Sequence, residues 1–204
     1  MTADQIAACF TRPDGTYLFA RWGRPIVPIV FGVDDATLAT LKGAVEAVVM
    51  LAGHRMAETD PELGANLMMF FFRDWEELRA VPDLDKLVEG LAPLLTRLKA
   101  QDANQYRAFR VDAAGAIKAV FVFVRMDDAM AGLPAADLAL LQAVRAILLW
   151  GDGAFRDQSP LGLANGIAVL RPDIAALIRA AYDPIMPPVA TDPGHALRLA
   201  ARMP

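Results

Sequence analysis

Chemistry-capable side chains crowd one short segment, His54-Arg-Met-Ala-Glu58-Thr-Asp60-Pro-Glu62-Leu-Gly-Ala-Asn66. An imidazole titrates near neutral pH and ligates metals. Carboxylate oxygens suit hard cations better than a tetrahedral zinc. His54 and Glu58 are four positions apart, which on a helix would put them on one face. The glycine at position 53 is placed to end the preceding helix, however, so that geometry is not secured. The acids at 58, 60 and 62 match no defined donor spacing, and solvation is the simpler expectation for such a run. No metal or other cofactor is therefore expected. Asn66 has two readings: a buried amide satisfying nearby backbone, or a hydrogen-bond hook for an extended peptide.

The flanking elements must position these groups. Before them, Leu38, Leu41, Val45, Val48, Val49 and Ala52 recur at helical spacing from Asp35 onward, with Asp34 or Asp35 as the cap. After them comes Leu67–Phe72, a wholly apolar run that reads as a buried strand. The polar segment thus sits at the mouth of an apolar core, where sites form.

Strands are also predicted over 16–21 and 26–32, the second at an edge or bulge because of Pro28. A short helix opens at 73–77. Asp83 is placed to cap the next, whose leucine stripe is kinked or divided at Pro93. Residues 106–111 and 116–125 flank a turn and form a hairpin. The stretch 138–150 is apolar except for Gln142 and Arg145, so it reads as a buried helix. These two polar residues share a face, and Asp157 or Glu58 could serve as the carboxylate that a buried arginine needs. A loop follows over 151–166, then a helix begun by Pro172. From about residue 183, prolines 184, 187, 188, 193 and 204 suggest an extended surface tail with His195 exposed. The whole is one α+β domain, 1–204: a mixed twisted sheet with a hairpin, packed against several helices.

Composition narrows the function classes. The chain of 204 residues is 55% hydrophobic and 22% charged, which excludes disorder. A net charge of −4 leaves no basic footprint for nucleic acid, and Arg12, Arg21 and Arg24 read as a solvated rim. Cys9, the single cysteine, excludes an internal disulfide. The N-terminal residues lack a signal-peptide pattern, and no apolar run spans a bilayer, so a cytoplasmic, membrane-free protein is expected. Ser159 lacks the glycine context of a nucleophile elbow, and no nucleotide-binding glycine motif is present.

Three short motifs carry a family likeness: Arg21-Trp22 before Pro25 and an apolar strand, Ala65-Asn66-Leu67 entering the buried strand, and Tyr182-Asp183-Pro184 closing the last helix. With the element order, they make residues 17–190 resemble a bacterial family of unknown function related to zincin-like metallopeptidases. The resemblance implies a zincin-like fold with a substrate-binding edge strand at the 67–72 run. A catalytic zincin needs two histidines one turn apart with a glutamate between them. At the corresponding helix this chain reads Leu141-Gln142-Ala143-Val144-Arg145-Ala146. The leading expectation is therefore a non-catalytic zincin-like module, a pseudoenzyme, binding a peptide or protein at a cleft formed by His54, Glu58, Asp60, Glu62, Asn66, Gln142 and Arg145. Alternatives are a hydrolase using His54 with nearby carboxylates, with or without a metal, and a structural homo-oligomer anchored by Trp22, Trp75 or Trp150.

Overall fold

Residues 1–203 are described by a computed structural model. Four strands make the central sheet, in the order β2 (Pro28–Phe31), β3 (Leu67–Phe72), β5 (Ile117–Arg125), β4 (Gln105–Val111). The first three are parallel; β4 runs antiparallel, as the return arm of the hairpin. The apolar run of β3 is explained by its place: paired on both sides and covered on both faces, it has all six residues buried. Pro28 lies in an edge strand, where its missing N–H is tolerated. Gly32, just after β2, has φ +83° and passes so close to β3 that a Cβ would sit 1.9 Å from the Phe71 carbonyl oxygen.

Alternating side chains divide the interior into two layers. On one face Leu67, Met69 and Phe71 meet Val120, Val122 and Val124 beneath α2 (Asp35–Leu51), α6 (Ala135–Ala146) and α7 (Pro172–Ala181). On the other, Met68, Phe70, Phe72, Phe121 and Phe123 pack under a 3-10 helix (Trp75–Ala80), α3 (Leu84–Leu87) and α4 (Leu91–Ala100). Asp34 caps α2 by accepting from the Thr37 N–H, an interaction worth about 1 kcal/mol, and Gly53 follows its end at φ +64°. Asp74 and Glu77 form a capping box on the 3-10 helix. The leucine stripe does divide into two helices, but at Gly90 (φ +68°) rather than at Pro93; Asp83 precedes α3 in a left-handed conformation and makes no side-chain cap.

Three expectations are corrected. Helix α6 stops at Ala146 rather than at Trp150. Its last carbonyls are taken by side chains: Trp150 Nε1 donates to Val144 at 2.9 Å, Trp22 Nε1 to Ala146 at 2.9 Å and the Tyr182 hydroxyl to Ile147 at 2.8 Å. The freed chain turns out, and Leu148 bridges to Arg21. Within the expected loop 151–166, β6 (Leu161–Ala164) turns into β7 (Ile167–Leu170) through Asn165-Gly166, both at positive φ, the geometry of a tight hairpin turn. The tail is not spread over the surface. It returns as β8 (Val189–Ala190) on β1 (Phe19–Ala20), then as α8 (Gly194–Ala200) against α1 (Ala3–Ala8). His195 is buried there, and the Tyr17 hydroxyl lies 2.8 Å from its Nδ1. Pro204 lies outside the described residues. Between α4 and α6, α5 (Asp128–Ala131) completes the helices.

Candidate functional site

The residues singled out in the sequence separate into two places. Around the start of β3, Asn66 is fully buried and fully used. Its Oδ1 accepts from the Val27 N–H at 2.8 Å, and its Nδ2 donates to the Pro25 carbonyl at 2.9 Å and to Asp60 at 3.0 Å. Asp60 is buried too and accepts from the N–H groups of Glu62 and Leu63. Although burial opposes ionisation, these N–H donors, Asn66 and Arg24 hold its carboxyl below the usual range. Glu62 pairs with Lys118 at 2.7 Å and Arg24 at 3.0 Å. His54 Nε2 lies 2.9 Å from the Arg24 carbonyl, with the Tyr182 ring 5.2 Å away; desolvation lowers its pKa. Glu58 is exposed. Among the described residues no three His, Cys, Asp or Glu side chains gather in reach of one metal ion.

This cluster ties the 57–66 loop to the sheet. Of the two readings of Asn66, the geometry matches the internal one: its amide bonds are all within the fold, and β3 has neighbours on both sides, so the edge strand expected over 67–72 is corrected to a central one. Trp22 and Trp75 are core residues, at 3% and 1% exposure, and so are not surface anchors.

Gln142 and Arg145 lie elsewhere, in a cavity of about 540 Å³ bounded by β4, α6, the 149–155 loop, and Arg12 and Leu18. The open edge of the sheet forms one wall. Arg125 donates its N–H to the Asn104 carbonyl, and alternation from that pair turns the backbone groups of Gln105, Arg107 and Phe109 away from β5. They find no other backbone partner among the described residues. The side chains at 105, 107 and 109 face the α6 layer. Trp150 and Phe155 line the opposite wall with rings 4.8 Å apart, and Phe155 holds a positive φ of 64°. Gly151 seats this wall. Its N–H donates to the Cys9 carbonyl at 2.7 Å, and a Cβ there would stand 2.5 Å from the Thr11 carbonyl oxygen.

Electrostatics distinguish this cavity. Arg107 donates to the neutral oxygens of Gln105, at 3.0 Å, and of Gln142; Gln142 Nε2 donates to Gln105 at 3.1 Å. The Nε atoms of Arg107 and Arg145 are sealed from solvent without a partner. The expected pairing of Arg145 with Asp157 or Glu58 is corrected: both acids are exposed, neither reaches it, and its guanidinium carbon lies 5.8 Å from the Phe155 ring centroid. Desolvation, then the neighbouring Arg145, pulls Arg107 down to about 9, and desolvation also lowers Arg145. Among the described residues no acid offsets either shift.

Sequence reasoning pointed to Gln142 and Arg145 but missed Gln105, Arg107 and the edge of β4. The signal was present: 105, 107 and 109 alternate polar, charged and aromatic on the inward face of a hairpin strand. Among the described residues no helix is long and apolar enough to cross a membrane. Comparison with known proteins finds no matching family model, no matching curated protein and no matching solved structure.

Proposed function

We propose that this chain is a non-catalytic binding module that receives an extended peptide segment along the open edge of β4. The observation that carries the reading is the outward row of backbone groups at Gln105, Arg107 and Phe109, without a backbone partner among the described residues and bordering the cavity of about 540 Å³. An edge strand offers main-chain hydrogen bonds as affinity, and an adjoining pocket offers side-chain selection. On the zincin-like resemblance, Gln142 and Arg145 of α6 would occupy the stretch where a peptidase carries metal ligands. A hydrolase at His54 gains little from the geometry, since none of Glu58, Asp60 or Glu62 bonds to its ring. Two-fold pairing of β4 with a second copy would bring two arginine-lined cavities together, which disfavours this edge as a homodimer contact.

Selection from a random peptide library, followed by amide exchange, tests the reading. A selected peptide should slow exchange of the Gln105, Arg107 and Phe109 amides. Failure to enrich any peptide, or protection confined to another surface, would overturn it.

A further inference from the structure

The cavity holds more positive charge than its own walls can neutralise. Guanidinium groups kept from water are ordinarily paired with carboxylates, because an unpaired buried charge is expensive. Here two half-buried guanidinium groups line one cavity from facing elements, Arg107 on β4 and Arg145 on α6, and each has an unpartnered, solvent-sealed Nε. The first-layer contacts of Arg107 are amide oxygens, which satisfy donors without neutralising charge. Arg12 adds a third cation at the rim; Asp152 lines the far wall but bonds to none of them. The glutamines also cross-link each other, so Arg107 is held in place before any ligand arrives, and Arg145 rests against the Phe155 ring.

We infer that Arg107 and Arg145 form a subsite for an oxyanion, and that its occupant is a carboxylate carried by the peptide bound along β4. This inference rests on the proposed peptide-binding reading. The carboxylate follows from placement: the outward backbone of Arg107 is itself part of the open edge, so a peptide paired there brings its own acidic group within reach of both guanidiniums. A planar carboxylate accepts two parallel N–H bonds from one guanidinium and can share its remaining lone pairs with the second. The acid is an Asp or Glu side chain or a terminal carboxylate, both offering the same chemistry.

Two measurements keep the subsite and the groove separable. In the first, the Nε–H resonances of the wild-type protein are followed by NMR against acetate and, separately, inorganic phosphate. Saturable shifts of the Arg107 and Arg145 signals with acetate are expected. No shift with either anion overturns the subsite, and saturation by phosphate alone overturns the carboxylate. In the second, a library-selected peptide is compared with versions whose Asp or Glu is replaced by Asn or Gln, or whose C-terminus is amidated. One of these neutral versions should bind wild type roughly 10- to 100-fold more weakly, as expected for a lost charge-assisted contact. It should bind Arg145→Met about as well as the acidic parent does. Undiminished binding of every neutral version refutes the subsite while leaving the groove intact. If no peptide is selected, the groove reading fails and the acetate titration alone decides the subsite.

Discussion

Replacing Arg145 with methionine should make the unliganded protein more stable, because the side chain is kept at a cost to the fold. The methionine retains most of the aliphatic stem and its packing. Arg145 is the second cause, after desolvation, of the drop of Arg107 to about 9. One pKa unit corresponds to about 1.4 kcal/mol, so the lesser share of that drop is on the order of 1 kcal/mol of relief. Ending the partial desolvation of Arg145 itself acts in the same direction. Against this stands the loss of the contact with the Phe155 ring, 5.8 Å away, worth roughly 0.5–1 kcal/mol. The net expectation is a rise of at most about 1 kcal/mol, or no more than roughly 2–4 °C in Tm for a chain of this size. Urea denaturation at pH 7 with an unchanged m-value measures it. A fall of more than about 1 kcal/mol would refute the reasoning, since it would mean that the guanidinium has a stabilising partner. The pH dependence supplies a check. Arg107 is depressed in the fold, so the folded state binds fewer protons than the unfolded one above about pH 9, and wild-type stability should climb there. Arg145→Met should climb less.

Asn66→Ala should cost about 3 kcal/mol in the same assay, because it strands the Val27 N–H and strips a donor from Asp60 and the Pro25 carbonyl. A loss below about 1 kcal/mol would contradict that accounting. His195 is held neutral by burial, its pKa lowered from 6.5 to about 4. As pH falls through this window the unfolded chain takes up a proton that the folded one refuses, so stability should drop by roughly 3 kcal/mol, with His54 acting in the same direction. His195→Gln should remove most of that slope; an unchanged slope would locate the titration elsewhere.

The local rules were legible in the residues. Asp34 and Gly53 announce the ends of α2, Pro28 marks an edge strand, and six consecutive apolar residues require a strand covered on both faces. What could not be read was pairing at a distance. Nothing near Trp150 says that Trp22 and Tyr182 will take the carbonyls that end α6 early. Prolines at 184, 187, 188 and 193 look like an extended tail until β1 and α1 are seen to receive it. The Asn165-Gly166 turn was a local signal and could have been recognised. For the candidate site, the sequence exposed the polar pair on α6 but not the strand facing it. An arginine in a strand shows no sign of lacking a counter-charge until its neighbours are placed.

The return of the C-terminal segment has a consequence in time. Tyr17 and His195 meet across 178 residues of chain, and the same junction seats the segment that carries Arg12, Leu18 and the Cys9 carbonyl holding Gly151. At a synthesis rate of roughly 5–20 residues per second, this N-terminal segment waits on the order of ten to forty seconds for its support. During that interval Phe10 and Phe19 lack the cover of α8, and one side of the cavity is unanchored. A nascent chain would therefore expose its β4 edge well before it could discriminate among the segments that might add to it. Competence to select a ligand would arrive last, with residues 189–200.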